Sequence, residues 1–164
     1  MMKKLCLILL MLGVLRGFCP NNDFEVIKVE RFNDNEITLF AIIDYESAWG
    51  KFPYNKTENA AGHLQIRPVV VTDVNRFSEE KYTLKDRFDL NKSIEMFWKY
   101  HQIYKSVTSE QLARIWNGGP NGMYKTATLN YWKEVQKRIK KYEHLKYEYK
   151  IVKKNDSKDK EITP

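Results

Sequence analysis

The sequence predicts a mainly α-helical protein built from a single domain. The chain has 164 residues, close to the usual size of one domain, and 43% of them are hydrophobic. In successive segments the apolar residues recur every three or four positions, which is the spacing of one helix face. The sequence contains neither a phosphate-binding glycine loop nor an internal repeat, and its three histidines lack metal-ligand spacing. We therefore expect no cofactor and no metal.

Residues 1–17 have the pattern of a signal peptide. Lys3 and Lys4 precede an apolar run of eleven residues from Leu5 to Leu15. This run is too short to span a membrane and is typical of a signal-peptide core. Gly17 is an acceptable small residue before a cleavage site. We expect export to the periplasm, the cell envelope or the extracellular space, with membrane contact only through this segment.

Both cysteines of the chain lie in its N-terminal segment, at positions 6 and 19. A lipidated Cys19 is the alternative to plain secretion, but Arg16 and Phe18 differ from the residues that precede a lipidated cysteine. Cys6 leaves with the signal peptide, so we expect the mature chain to hold Cys19 alone and to form no internal disulfide. We therefore favour plain secretion.

The first elements of the domain follow this segment. Residues 18–33 form a lead-in, in which the alternating patch from Phe24 to Val29 fits a strand or an extended segment. A helix comes next, with Asn33 or Asp34 as its cap and Gly50 as a reasonable stop.

Four more helices complete the prediction. Pro68 fits the first turn of a helix that reaches Phe77, although three consecutive valines lower its helical propensity. Residues 76–90 carry mixed charges and are expected to form a solvated connection. Further helices are predicted from Asn91 to Tyr104, from Thr108 to the breaker Gly118-Gly119-Pro120, and from Thr126 onward. Residues 146–164 are polar enough to predict a charged, disordered tail.

The chain is basic, with a formal net charge of +7. From Lys133 onward it contains eleven Lys or Arg and six Asp or Glu. This excess indicates attraction to an anionic surface, although a solvated tail without a partner is the alternative.

Glu46 lies on the apolar face of the first helix. Leu39, Ile42 and Ile43 precede it by seven, four and three residues, which places all four side chains on one face. Burial disfavours the charged form of a carboxyl, and so does the negative end of a helix dipole. Both effects raise the pKa, as a general acid near neutral pH requires. The helix alone leaves open that Glu46 turns to water or pairs with a lysine.

Glu46 also belongs to a longer pattern of four motifs. In chain order the motifs are Glu46-Ser47, Gly62-His63-Leu64-Gln65-Ile66-Arg67-Pro68, Trp116-Asn117-Gly118-Gly119-Pro120, and Thr126 or Thr128 followed by Tyr131. Together they resemble the catalytic core of SLT-type lytic transglycosylases and goose-type lysozymes, over roughly residues 36–139. His63 and Leu64 depart from the Leu and Met that are usual in that family.

The resemblance implies a lysozyme-like domain over residues 34–145, with an active-site groove between helices. It implies cleavage of the bond between N-acetylmuramic acid and N-acetylglucosamine in peptidoglycan, with Glu46 as acid and base. In that family the same glutamate takes a proton from a hydroxyl of the substrate, which closes an anhydro ring on the muramic acid without consuming water. The implied enzyme is a lytic transglycosylase, formally a lyase, whose partner is the peptidoglycan glycan strand. We expect a monomer that binds no nucleic acid.

Five further side chains are candidates for substrate binding, and four of them have a structural alternative. Gln65 offers a donor and an acceptor to sugar groups, or lies on the surface at a helix start. Trp116 stacks on a sugar face or belongs to the core, and Asn117 resembles the family asparagine at the cleavage point. Tyr131 donates a hydrogen bond to the catalytic glutamate or packs in the core. Ser47 orients the scissile bond or only finishes the helix.

A lysozyme-type muramidase, including a phage lysin, is the main alternative. Glycoside hydrolases normally use a second carboxylate as a nucleophile or to activate water. No acid occurs between Glu46 and Glu58, so Glu58 and Asp73 are the candidates for that role. A peptidoglycan-binding module without turnover and a component of a secretion machine or phage particle are two further classes that the sequence leaves open.

Overall fold

The computed structural model describes residues 24–153 of the chain. Within this range the helices are α1 (Asp34–Ser47), α2 (Pro68–Phe77), α3 (Leu90–Ile103), α4 (Ser109–Gly118) and α5 (Thr128–Tyr142). The strands are β1 (Phe24–Glu30), β2 (Tyr54–Asn55), β3 (Ala60–Ala61) and β4 (Tyr147–Lys153). Short 3-10 helices span Leu84–Phe88, Gly122–Tyr124 and Glu143–Leu145. The predicted mainly α-helical fold is confirmed. No helix in residues 24–153 is long and apolar enough to cross a membrane.

The chain divides into two compact units. The larger unit comprises residues 30–146 and contains the five α-helices. The described part of the smaller unit is residues 24–29 and 147–153, where β1 and β4 form a two-stranded sheet. The prediction of a disordered tail over residues 146–164 is therefore wrong for β4, whose aromatic and β-branched residues favour a strand. The predicted signal peptide at residues 1–17 lies outside the described residues.

Helix α1 begins where the sequence predicts a cap. Asn33 Oδ1 accepts hydrogen bonds from the backbone N–H groups of Asn35 and Glu36, both at 3.0 Å. The carboxylate of Glu36 in turn accepts one from the N–H of Asn33 at 2.8 Å, which completes a capping box. The helix ends at Ser47, because Ala48 adopts a left-handed conformation with φ of 48°. These two ends place Glu46 in the last turn of the helix.

The apolar faces of the helices meet in one core within the larger unit. Side chains that are at most 1% exposed come from all five α-helices. They include Ile42, Ile43, Met96, Phe97, Leu112 and Val135. The core therefore joins the helix that carries Glu46 to the two helices that carry the later motifs.

Gly62 follows the β2–β3 hairpin at a position that only glycine fits. Its φ is +78°, a left-handed value that glycine adopts without strain. A Cβ at this position would lie 1.6 Å from the backbone oxygen of Arg87. The glycine of the second motif is therefore needed for close packing against the 3-10 helix.

The expectation of a solvated connection over residues 76–90 is wrong at Arg87. This side chain is only 5% exposed. Its Nη1 donates hydrogen bonds to the carbonyl oxygens of Asn59 at 2.7 Å and Ile66 at 3.0 Å, and its Nε donates to Leu84 at 2.9 Å. A buried charged group is tolerated when its donors are satisfied in this way. Arg87 thus ties the hairpin to the segment that precedes α2.

Candidate active site

A cleft of about 310 Å³ lies at the C-terminal end of α1. Its lining residues are Glu46, Asn55, Glu58, Ala60, Gln65, Arg67, Val70, Trp116 and Asn117. Helices α1, α2 and α4 contribute to it, and the hairpin and the segment before α2 complete its wall. The cleft brings together four of the predicted site residues, namely Glu46, Gln65, Trp116 and Asn117.

Glu46 is half-buried in this cleft. Burial raises the pKa of its carboxyl from 4.5 to about 7, against the opposing effects of a hydrogen bond from Tyr131 and of the positive charge of Arg67. A large share of Glu46 is therefore protonated at neutral pH, which is the state that a proton donor needs. Glu46 forms no ion pair with the described residues. The alternative in which Glu46 pairs with a lysine is therefore not seen among the described residues.

Tyr131 is buried on α5 and holds the carboxyl of Glu46. Its Oη donates a hydrogen bond to Glu46 Oε1 at 2.7 Å. Burial, followed by the charge of Glu46, raises the pKa of Tyr131 well above its ordinary value, so the phenol stays neutral and able to donate. The ring of Tyr45 packs edge-on against it, with centroids 4.8 Å apart. Tyr131 is not among the residues that line the cleft, and the hydrogen-bond partner of its hydroxyl is Glu46.

Gln65 lines the cleft in a left-handed backbone conformation, with φ of 48°. Its side-chain nitrogen donates hydrogen bonds to the carbonyl oxygens of Phe52 at 3.0 Å and Gly62 at 2.9 Å. Both amide hydrogens are therefore used within the protein. The side-chain oxygen accepts no hydrogen bond from the described residues and is the atom that a ligand can use. The sequence predicts that Gln65 offers a sugar both a donor and an acceptor, but the structure leaves only the acceptor available.

Ser47 is corrected to a structural residue. It is 1% exposed and does not line the cleft. Its Oγ donates a hydrogen bond to the carbonyl oxygen of His63 at 2.8 Å and accepts one from the N–H of Gly50 at 2.8 Å. The hydroxyl is closed off from a ligand because it joins the end of α1 to the loops around it.

Trp116 belongs to the core rather than to a sugar-stacking surface. It is 6% exposed, and its Nε1 donates a hydrogen bond to the carbonyl oxygen of Leu64 at 3.2 Å. Its ring packs against Phe97, with centroids 5.0 Å apart. So little exposed surface leaves no ring face open for stacking. The next residue, Asn117, is exposed and lines the cleft.

The two candidates for a second carboxylate differ in position. Glu58 lines the cleft from the hairpin, and its side chain is 58% exposed. Asp73 does not line the cleft. It accepts a hydrogen bond from Tyr104 Oη at 3.2 Å and lies 3.4 Å from Arg76 Nη1. Of the two, only Glu58 shares the cleft with the candidate acid. Across residues 24–153, no three His, Cys, Asp or Glu side chains are grouped to hold a metal ion.

Arg67 is a cleft residue that the sequence reasoning missed. Its Nη2 donates a hydrogen bond to the carbonyl oxygen of Asn117 at 3.1 Å, and its Nη1 lies 3.9 Å from Glu58 Oε2. Arg67 occupies the variable position of the second motif, between Ile66 and Pro68. A charge inside a segment expected to line a groove was the signal that would have identified it.

Comparisons with known proteins concern the fold. No protein-family model matches the chain, and no curated protein matches it. The crystal structure of Tapes japonica lysozyme is similar, with a TM-score of 0.52 and 26% sequence identity. The similarity covers 62% of this chain and 88% of that chain. The chain has a lysozyme-like fold.

Proposed function

We propose that the protein cleaves the glycosidic bond between N-acetylmuramic acid and N-acetylglucosamine in peptidoglycan, with Glu46 as the proton donor. The observation that carries this proposal is the position of the Glu46 carboxyl, which lines the cleft and accepts a hydrogen bond from Tyr131. Burial at this position raises the pKa of the carboxyl to about 7. The similarity to a lysozyme supports the same class of substrate. We further propose that residues 34–145 act as the catalytic domain, as a monomer without a cofactor, after export directed by residues 1–17.

Glu46 acts first as a general acid. Its proton goes to the glycosidic oxygen as the bond to the anomeric carbon breaks and positive charge builds on the sugar ring. Glu46 is then a carboxylate, and the hydrogen bond from Tyr131 stabilises it more than it stabilised the neutral acid. The same contact keeps the carboxyl in one orientation.

The finer proposal is a lytic transglycosylase, as in the SLT-type family whose motifs the sequence resembles. The ionised Glu46 takes a proton from a hydroxyl of the muramic acid, whose oxygen bonds to the anomeric carbon and closes an anhydro ring. The enzyme thereby recovers the proton that it gave to the leaving sugar, and no water is consumed. One carboxyl with a pKa near the working pH suits both steps, because neither of its forms is strongly disfavoured.

Hydrolysis by a lysozyme-type muramidase is the second candidate, and the position of Glu58 favours it. Glu58 lines the same cleft as Glu46, where a second carboxylate is able to activate a water or to act as nucleophile. The side chain of Glu58 is 58% exposed, however, and is weakly held. We therefore rank hydrolysis second.

Mass spectrometry of fragments from purified peptidoglycan, digested in isotopically labelled water, distinguishes the two outcomes. A transglycosylase leaves anhydromuramic ends without label, and a hydrolase leaves labelled reducing ends that are heavier by one water. Glu46→Gln keeps the shape of the side chain and should reduce cleavage by about a hundredfold or more, because it removes the acid. Appreciable turnover by a folded Glu46→Gln variant would contradict the proposed function. Labelled ends that disappear in Glu58→Gln would establish the muramidase instead.

A further inference from the structure

Arg67 is fixed in the wall of the cleft from both sides along the chain. It is the N-cap of α2, with φ of −84° and ψ of 153°, the extended conformation that a following proline favours. Ile66, on its other side, is fully buried and forms two backbone hydrogen bonds with Ala61, at 2.8 and 3.1 Å. With its backbone held in this way, Arg67 presents a positively charged group in the same cleft as Glu46.

The protein uses only part of the hydrogen-bonding capacity of Arg67. A guanidinium carries five N–H donors in a planar fork. Within the described residues Arg67 forms one hydrogen bond, to the carbonyl oxygen of Asn117. Its distance of 3.9 Å to Glu58 is longer than a hydrogen bond, and its side chain is 40% exposed. Donors therefore remain for a ligand.

The chemistry of these donors defines the ligand that they suit. A guanidinium forms two parallel, charge-assisted hydrogen bonds with a carboxylate, whereas a neutral hydroxyl or amide matches neither its charge nor its planar fork. In peptidoglycan, N-acetylmuramic acid differs from N-acetylglucosamine by a lactyl substituent. The lactyl group ends in a carboxyl when no peptide is attached, and the stem peptide carries carboxyls when it is present.

We propose that Arg67 binds a carboxylate on the muramic acid substituent and thereby makes the cleft selective for peptidoglycan over neutral glycans. This inference rests on the proposed function and names the part of the substrate that the site selects. The pairing of Arg67 with the carboxylate is non-covalent, so it affects substrate binding and the orientation of the muramic acid beside Glu46.

Occupation of Arg67 also affects the acid. The positive charge of Arg67 lowers the pKa of Glu46 in the free protein. The negative charge of a bound carboxylate offsets that effect, so the pKa of Glu46 rises when the carboxylate binds. The carboxylated substrate therefore helps to keep the proton on Glu46 until it is transferred.

The test uses two pairs of soluble oligosaccharides that differ only in their carboxyls. One pair is peptide-free glycan with free or methyl-esterified lactyl groups, and the other carries stem peptides with free or amidated carboxyls. The ratio of kcat/KM within each pair is measured for the wild type, for Arg67→Gln and for Arg76→Gln, which removes an exposed arginine outside the cleft. We expect the wild type to favour the free carboxyl by about tenfold to a hundredfold in one pair, which identifies the source of the carboxylate. The ratio should fall towards one in Arg67→Gln and persist in Arg76→Gln.

Two results overturn the inference: a wild type without preference in either pair, or a preference that persists in Arg67→Gln. If Arg67→Gln does not fold, Arg67→Lys replaces it, because lysine keeps the charge and loses the planar fork. An unchanged ratio in Arg67→Lys then counts against the inference. If the wild type cleaves no glycan, the proposed function has failed. The ratio of binding constants within the same pairs, measured by calorimetry for the wild type, Arg67→Gln and Arg76→Gln, then tests Arg67 without any cleavage.

Discussion

The carboxyl of Glu46 is subject to opposing influences from its neighbours. Burial raises its pKa, whereas the hydrogen bond from Tyr131 and the charge of Arg67 lower it. The balance leaves the pKa at about 7, where a change of one neighbour alters the protonated fraction at physiological pH. Single substitutions around Glu46 should therefore change how activity depends on pH.

Tyr131→Phe removes a hydrogen bond that lowers the pKa of Glu46, so this pKa should rise further. The limb of the kcat/KM profile that reports Glu46 should move to higher pH than in the wild type. The maximum should fall by about tenfold to a hundredfold, because the carboxylate loses a charge-assisted hydrogen bond. Tyr45→Phe is the matched control, since Tyr45 packs against Tyr131 without bonding to Glu46. An unshifted limb in folded Tyr131→Phe would show that this contact does not tune the acid.

The raised pKa of Glu46 also predicts how stability depends on pH. Between the unfolded value of 4.5 and the folded value of about 7, the folded state binds more protons than the unfolded state. The free energy of unfolding therefore falls as pH rises through this window. Glu46→Gln removes this pH dependence. The free energy of unfolding of the variant minus that of the wild type should therefore be larger at pH 8 than at pH 4, by about 1–3 kcal/mol. Urea unfolding at both values measures this, with Glu79→Gln as a control for loss of an exposed carboxylate. A difference that does not change with pH would exclude a strongly raised pKa.

At the scale of elements, the cleft depends on connections that are neither long helices nor long strands. Gly62 packs its backbone against Arg87, and the side chain of Arg87 binds carbonyl oxygens on both sides of this glycine. The hairpin and the segment before α2 are thereby joined. The hairpin and the segment before α2 both supply residues that line the cleft, so the contacts of Gly62 and Arg87 help to set its shape.

Arg87→Met should destabilise the protein by about 2–4 kcal/mol, because it leaves the carbonyl oxygens of Asn59, Ile66 and Leu84 without their donors. Urea unfolding gives the change. Lys85→Met is the control, since Lys85 is an exposed neighbour in the same 3-10 helix. Equal stabilities of the two variants would mean that these three hydrogen bonds contribute little.

At the scale of the whole molecule, the net charge of +7 is the property most relevant to an anionic wall. Part of the basic excess after Lys133 lies on an exposed face of α5, where Lys133 and Lys140 form no ion pair with the described residues. Attraction through such exposed charges is long-ranged at low salt and is screened at high salt.

Replacing Lys133 and Lys140 together by Gln should weaken sedimentation with purified cell walls at low salt. The difference from the wild type should vanish at high salt, because the Debye length shrinks from about 10 Å at 0.1 M to about 3 Å at 1 M. A double variant of Lys85 and Lys105 loses the same charge from other exposed positions. If the two double variants lose binding to the same extent, the net charge matters and this face of α5 does not.

The helix ends show how far local sequence rules reach. The predicted Asn33 cap and the predicted helix starts at Pro68 and Thr108 are all present in the structure. Strand β4 was not predicted, because a two-stranded sheet depends on pairing between residues far apart in the chain. The polar composition of that segment concealed its aromatic and β-branched residues.

The sequence by itself determined the helical class, the helix starts and the position of Glu46 on an apolar face, because each of these follows from the spacing of nearby residues. Only the tertiary structure decided which motif residues line the cleft. It buried Ser47 and most of Trp116, and it exposed Glu58 and Arg67 to the cleft. The physical reason is that exposure, and with it the pKa of a carboxyl, depends on how distant elements pack, which no local spacing encodes.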